Sequence, residues 1–240
     1  HGLIVAQPHK RPKSATQRFC FGRPNDCWQS DWTQWNLADD TDVAIAGSVD
    51  DHSRHVHALR AGIGHGTAEL VRQLEKFGDR QDGGGFMVTP VRNNGVYENA
   101  FMKVYRAIEE RGLVLSFHSG PNWGEPIFKS CNRFLVAHAL GFSWYNIVNL
   151  SNWVINGMGE RFPKLPVVWI ESGLAWVPFL MQKLDHEYML RPSEAPLLKK
   201  KPSDYMRDMY YSSQPMEIQD MGALECTFRM INAETQLMYS

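Results

Sequence analysis

Short apolar runs alternate with amphipathic stretches along the chain from about residue 83 onward. Residues 113–119 and 166–173 are two nearly continuous apolar runs, as expected for parallel strands that are buried on both faces. Residues 97–111 repeat apolar side chains three and four positions apart, which is typical of a helix with one buried face. This alternation predicts repeated βα units. The predicted fold class is therefore α/β, a (βα)8 TIM-type barrel that is incomplete or distorted in this chain.

The other elements predicted in this part of the chain continue the same alternation. They are a strand at 84–90, a helical region at 133–161, a helix at 177–189, a strand at 209–214, a helix at 216–232 and a strand at 235–240.

The pattern is weaker before residue 83. Two strands and a helix are predicted there, at residues 3–6, 42–49 and 65–77. A stretch that contains Trp28, Trp32 and Trp35 among turn formers predicts a surface loop. The expected organisation is an irregular N-terminal arm with this Trp-rich loop over residues 1–40, and one barrel domain over residues 41–240.

Composition narrows the class of protein. The 240 residues are 43% hydrophobic and 21% charged, close to the average of soluble globular proteins. Lys and Arg number 25 against 26 for Asp and Glu, so the net charge of -1 predicts no binding to nucleic acid or anionic membranes. Without an apolar run of roughly 18 to 20 residues or a signal-peptide pattern, a cytoplasmic protein is expected. The expected partner is a small-molecule substrate, and the aromatic-rich loops are compatible with a homodimer.

Two side chains with metal-binding and proton-transfer chemistry end the two apolar runs. His118 stands where the first run gives way to Ser119 and Gly120, and Glu171 ends the second run. Catalytic groups of an α/β barrel lie at the C-terminal ends of its strands, so both side chains are expected at one rim. The alternative is structural: a buried histidine bonded to a backbone carbonyl, and a carboxylate in an ion pair.

Further candidates for the same rim follow other predicted strand ends. Arg92 comes just after the strand at 84–90 and is placed to bind a substrate carboxylate in bidentate fashion, with a solvated loop arginine as the alternative. Asn122 and Trp123 follow His118 closely and are expected to border the pocket. Gln214 ends the penultimate predicted strand and is expected to donate hydrogen bonds to a substrate.

Three segments carry a resemblance to a known family: Leu-Ser-Phe-His-Ser-Gly at 115–120, Glu-Arg-Phe-Pro-Lys-Leu-Pro-Val-Val-Trp-Ile-Glu-Ser-Gly at 160–173, and Trp-Val-Pro-Phe-Leu-Met-Gln-Lys-Leu-Asp at 176–185. Together they resemble the amidohydrolase-related proteins of the aminocarboxymuconate-semialdehyde decarboxylase type. The resemblance implies a distorted TIM barrel with a divalent metal, usually zinc, and manganese is the alternative metal. Members of that family hydrolyse C–N or C–O bonds, or decarboxylate aromatic or unsaturated acids.

The resemblance also implies a ligand set, which this chain matches in part. The family has a His-x-His on the first strand, a histidine on the fifth, a further histidine on the sixth and an aspartate on the eighth. His118 matches the fifth-strand ligand, whereas Glu171 stands where the sixth-strand histidine is expected. A carboxylate there binds a metal or accepts a proton, but it cannot donate one as an imidazolium does unless its pKa is raised.

The other ligands are harder to identify. His55-Val-His57 is a His-x-His, which on a strand would point both imidazoles to one side. The alternative is a solvated turn or a helix start. The eighth-strand aspartate is expected just after Ser240, so the chain is either a fragment or has a degenerate site.

These residues predict a metal-dependent hydrolase that acts on a C–N or C–O bond of a small anionic or aromatic substrate. His118 would bind the metal. Glu171 would bind it too, or orient and deprotonate the attacking water. Two alternatives stay open: a metal-dependent decarboxylase of an aromatic or unsaturated acid, and a non-catalytic barrel with a degenerate metal site that binds a ligand or partner.

Overall fold

The computed structural model describes residues 23, 28–36, 38–39, 42–50, 52–53, 55–63, 85–88, 95–118 and 126–238. The chain forms two compact units, residues 11–79 and residues 80–240 with 1–10. The predicted strand at 3–6 and the predicted helix at 65–77 lie outside the described residues.

The unit of residues 11–79 contains a three-stranded antiparallel sheet in the order β1-β2-β3. Its strands are β1 (Trp28–Asn36), β2 (Asp42–Asp50) and β3 (Val56–Ile63). The strand predicted at 42–49 is thus confirmed as β2. Short connections suffice here because antiparallel neighbours need only a tight turn between them.

The structure corrects one expectation in this unit. The Trp-rich stretch is strand β1, not a surface loop, because tryptophan and threonine favour extended backbone when a neighbouring strand can pair with them. The boundary between the two units falls near residue 80. His57 is the second residue of β3, and His55 lies just before that strand, so the pair forms neither a turn nor a helix start.

The larger unit contains a five-stranded parallel sheet in the order β4-β5-β6-β7-β8. Its strands are β4 (Gly85–Val88), β5 (Val114–His118), β6 (Val167–Ile170), β7 (Tyr210–Ser212) and β8 (Leu237–Met238). Each strand after β4 pairs in parallel with the strand that precedes it in the chain, so the order in the sheet follows the order in the sequence. This is the strand order of a (βα) barrel and confirms the α/β class.

Eight helices connect or follow these strands in the described part of the unit. They are α1 (Asn99–Glu110), α2 (Pro126–Lys129), α3 (Phe134–Ile155), α4 (Met158–Arg161), α5 (Trp176–Leu190), α6 (Pro202–Arg207), α7 (Met221–Ile231) and α8 (Ala233–Gln236), with a 3-10 turn at Pro192–Glu194.

One helical region differs from the sequence-based expectation. The helical region predicted at 133–161 is divided between α3 and α4 at Gly157, which has a φ of 65° and whose Cβ, if present, would collide with Leu197. Helix α6 begins at the end of a segment rich in proline and lysine. Pro202 occupies its first turn, where the missing N–H of proline costs no hydrogen bond.

An aromatic core holds the central strands against α3. The rings of Phe117 on β5 and Trp169 on β6 stack with centroids 4.7 Å apart, and Trp153 of α3 meets Phe117 edge-on. All three side chains are at most 1% exposed. This packing fixes β5 beside β6 and therefore fixes the relative position of their C-terminal ends.

No helix in the described part of the chain has the length and apolar character needed to cross a bilayer.

Candidate functional site

His118 and Glu171 meet at the C-terminal ends of two neighbouring strands. His118 is the last residue of β5 and lies beside Ile170, the last residue of β6, with Glu171 directly after it. The His118 Nε2 atom is 3.2 Å from the Glu171 Oε2 atom, and the two side chains are 29% and 42% exposed. The expected convergence of these two side chains at one rim is confirmed, while their chemical roles stay a prediction.

The imidazole changes the acidity of the carboxyl group. A hydrogen bond from His118 is the main reason that the pKa of Glu171 is lowered below its ordinary value, and it outweighs the partial burial that acts in the opposite direction. Glu171 is therefore ionised at neutral pH. In that state it accepts protons or binds a cation, and it is a poor proton donor.

Glu171 has an unusual backbone conformation, and the backbone of residues 170–172 is held by three side-chain hydrogen bonds. The φ of Glu171 is 52°, in the left-handed region. Its N–H donates to the Ser212 hydroxyl oxygen at the end of β7, at 3.1 Å. From α3, the Asn146 amide donates to the carbonyl of the preceding residue at 3.1 Å, and the Ser143 hydroxyl donates to the carbonyl of the following residue at 2.7 Å.

Sequence reasoning missed these three partners of the Glu171 segment. Ser143 and Asn146 are three positions apart in a helix that has no Asp, Glu, Lys or Arg over its 22 residues. Polar side chains on one face of such an apolar helix are a signal that they bond to a neighbouring element. The sequence does not say which element that is.

The turn after Glu171 is fixed to the start of α5. Gly173 has a φ of 71°. The Glu217 carboxylate accepts hydrogen bonds from the backbone N–H groups of Leu174, at 2.9 Å, and Ala175, at 3.3 Å. The Trp176 indole N–H donates to the Gly173 carbonyl at 2.9 Å. An acidic group at a helix N-terminus is stabilised by the unpaired N–H groups and by the helix dipole.

An aromatic side chain borders the pair. Phe142 of α3 lies edge-on to the His118 ring, with centroids 6.3 Å apart, and it also meets His138 at 5.3 Å. The site thus combines one ionised carboxylate, one imidazole and a flat apolar surface.

Three of the four remaining predicted site residues cannot be placed relative to the pair. Arg92, Asn122 and Trp123 lie outside the described residues. Gln214 is exposed in the segment after β7, where its carbonyl oxygen lies 3.5 Å from the Ser212 hydroxyl. Within the described ranges, no group of three or more His, Cys, Asp or Glu side chains is arranged to hold a metal ion.

Comparison with solved structures identifies the fold. Similar chains include 5-carboxyvanillate decarboxylase from Sphingomonas paucimobilis, with a TM-score of 0.59 and 23% identity over 72% of this chain and 52% of that one. The dihydroxybenzoic acid decarboxylase from Polaromonas sp. JS666, solved with bound manganese and the inhibitor 2-nitroresorcinol, gives a TM-score of 0.55 and 16% identity over 72% and 54%. An amidohydrolase from Mycobacterium avium subsp. paratuberculosis K-10 gives 0.58 and 17% over 71% and 44%.

The chain shares the fold of these decarboxylase and amidohydrolase structures. This confirms the TIM-type α/β fold that the sequence predicts. The chain spans about half the length of the solved structures that it matches. No family model and no curated protein sequence matches it.

Proposed function

We propose that this chain is part of a divalent-metal-dependent enzyme of the amidohydrolase-related kind that decarboxylates a small aromatic acid. The observation that carries the proposal is the His118–Glu171 pair at the C-terminal ends of adjacent parallel strands. The decarboxylases of carboxyvanillate and dihydroxybenzoate among the similar structures support the reaction, and the manganese in one of them supports the metal.

The spacing of the pair fits two ligands of one metal ion. Bonds of about 2.0 to 2.2 Å at angles of about 90 to 110° place two ligand atoms roughly 2.8 to 3.6 Å apart. The 3.2 Å between Nε2 and Oε2 lies within that interval. An imidazole with a carboxylate suits zinc and manganese alike. A catalytic zinc usually has three protein ligands, so we infer that at least one more comes from outside the described residues.

The charge of Glu171 supports a role for a metal in binding an acidic substrate. The ionised carboxylate of Glu171 places a negative charge at the site, which repels a substrate carboxylate. When bound, a divalent ion supplies positive charge that holds the carboxylate and stabilises charge developing in the reaction. Phe142 provides a flat apolar surface beside His118 for an aromatic ring. Arg92 stays the proposed clamp for a second anionic group.

Hydrolysis of a C–N or C–O bond is the second candidate. The ionised state of Glu171 suits this reaction, because an ionised carboxylate accepts a proton from an attacking water. Decarboxylation instead needs a proton delivered to the ring carbon, and Glu171 in this state does not supply one. Hydrolysis therefore needs Glu171 as a proton acceptor, whereas decarboxylation needs a proton donor.

The test is to load the purified chain with Mn²⁺ or Zn²⁺, measure retained metal, and assay two reactions. CO2 release from 5-carboxyvanillate and 2,6-dihydroxybenzoate reports decarboxylation, and 4-nitrophenyl acetate reports hydrolysis. We expect metal retention with CO2 release, and a severalfold loss of metal in His118→Ala and Glu171→Gln. His186→Ala and Glu225→Gln, at exposed helix positions, are the matched controls. A chain that retains neither metal and turns over no substrate would instead be a non-catalytic barrel.

A further inference from the structure

We propose that Ser143, Asn146 and Ser212 form a clamp that holds Glu171 in its left-handed backbone conformation and thereby positions its carboxylate against His118. These three residues act through Glu171 and are positioning residues. The consequence for metal binding rests on the proposed function above, whereas the conformational part does not.

The conformation of Glu171 needs an explanation of its own. A positive φ is unfavourable for residues with a Cβ and is usually taken by glycine, or by asparagine and aspartate. Among the described residues, the non-glycine positions with positive φ are Glu171 and Asn232. Asn232 ends helix α7, a place where asparagine commonly adopts this conformation. Glutamate has no such local reason, and unfavourable backbone geometry that is retained often marks a functional position.

The contacts of the clamp fix the chain on both sides of this residue. Asn146 and Ser212 hold the two ends of one peptide unit, the Ile170 carbonyl and the Glu171 N–H. Ser143 holds the carbonyl of Ser172, one peptide unit beyond Glu171. Glu171 lies between these two fixed peptide units, with only the Glu171–Ser172 peptide unit between them, so few combinations of its backbone angles can join them.

Burial makes these hydrogen bonds effective. Asn146 is 0% exposed and Ser212 is 3% exposed, so water does not compete well for their partners. If Glu171 relaxed to a negative φ, rotation about its N–Cα bond would turn the Cβ and the carboxylate away from His118. The clamp therefore connects α3 and β7 to the geometry of the His118–Glu171 pair.

The test compares Glu171→Gly with Glu171→Ala, which both lose the carboxylate and differ only in the Cβ atom. At ordinary helix and strand positions the alanine variant of a protein is more stable than the glycine variant. At a position with positive φ the glycine variant is the more stable one. In the native background we expect the unfolding equilibrium constant of Glu171→Ala to be about fivefold larger than that of Glu171→Gly, measured by urea denaturation. In a background of Ser143→Ala with Ser212→Ala, this preference for glycine should disappear or reverse.

A serine on the same helix provides the control. Ser151 donates to the carbonyl of Ile147 within α3, so a Ser151→Ala background should keep the fivefold preference. If the preference is equally large without the clamp hydroxyls, the clamp does not hold the conformation and the proposal is overturned. Should the double background fail to fold, Ser143→Ala alone must reduce the preference and Ser143→Thr must restore it.

A second measurement separates this proposal from the proposed function. With Glu171 retained, Ser143→Ala should weaken the binding of Mn²⁺ severalfold, and Ser151→Ala should not. If the native chain binds no Mn²⁺, the proposed function fails, while the comparison of glycine with alanine at position 171 still decides whether the clamp exists.

Discussion

Gly173 and Glu217 contact each other so closely that a Cβ atom at position 173 would lie 2.9 Å from the Glu217 Cδ atom. The Glu217 carboxylate is also the acceptor for the first free N–H groups before α5. The glycine thus serves two purposes, since it adopts a φ of 71° and leaves room for a carboxylate that caps a helix. The turn that carries Glu171 depends on both.

We predict that Gly173→Ala lowers the free energy of unfolding by about 2 kcal/mol. About half of this comes from the positive φ. The rest comes from displacement of the Glu217 carboxylate, which costs its hydrogen bonds to Leu174 and Ala175. Urea denaturation monitored by tryptophan fluorescence measures the difference.

Gly112 offers a matched control for that substitution. Its φ is 63°, and no described atom lies within 4 Å of where its Cβ would be. Gly112→Ala should therefore cost about 1 kcal/mol, from backbone conformation alone. In a Glu217→Ala background, Gly173→Ala should cost no more than that. Equal losses for the two glycines in the native background would contradict the explanation.

Two leucines of helix α3 differ in burial, so we expect their truncation to alanine to change the stability by different amounts. Leu150 is 0% exposed, whereas Leu135 is 76% exposed. Leu150→Ala should destabilise the protein by about 2 to 5 kcal/mol, because it removes buried apolar surface and leaves a cavity. Leu135→Ala should stay within about 0.5 kcal/mol of the native protein. Thermal or urea unfolding checks both, and a large loss for Leu135→Ala would show that this face of α3 is covered.

The pH dependence of stability should report on Glu160. Its pKa is lowered mainly by a hydrogen bond from Lys199, and next by one from the Tyr205 hydroxyl. A lowered pKa in the folded state gives stability that is present above the ordinary pKa of a glutamate and is lost as the pH falls through the lowered value. The stability gap between the native protein and Glu160→Gln should therefore be present at pH 7 and shrink below pH 4.5.

The control for this pH effect is Glu225→Gln, which removes one exposed carboxylate of α7. The difference in stability between the native protein and Glu225→Gln should be small at every pH from 7 down to 3. A gap for Glu160→Gln that stays constant down to pH 3 would show that the Lys199 and Tyr205 contacts do not favour the charged form.

The sequence predicts the parallel strands and the meeting of His118 with Glu171 for one physical reason. Buried parallel strands are continuous apolar runs, and their C-terminal ends lie at one edge, so the polar residue that ends each run lies at that edge as well. Both the runs and their ends are local features of the chain. The partners Ser143 and Asn146 are different, because a helix side chain that bonds to a strand carbonyl depends on how two distant segments pack.

Strand β1 and helix α6 show where local signals fall short. The tryptophans of residues 28–36 lie among turn formers, and only pairing with β2 makes the segment extended. Helix α6 is six residues long and begins with proline. Part of its stability comes from the Asp185 carboxylate of α5, which accepts hydrogen bonds from the Ser203 N–H and hydroxyl. Contacts of this kind leave no periodic pattern in a short segment.

The hydrogen bond between His118 and Glu171 fixes which nitrogen of the imidazole carries a proton. An ionised carboxylate only accepts hydrogen bonds, so Nε2 must carry the hydrogen in the metal-free protein. A metal ligand, in contrast, must give up that hydrogen. We predict that Zn²⁺ moves the proton of His118 from Nε2 to Nδ1, as seen in long-range ¹H–¹⁵N spectra that the His118→Ala spectrum assigns. The signals of His186, exposed on α5, should not change. Persistence of the Nε2 proton at saturating Zn²⁺ would show that His118 is not a ligand and that its contact with Glu171 is purely structural.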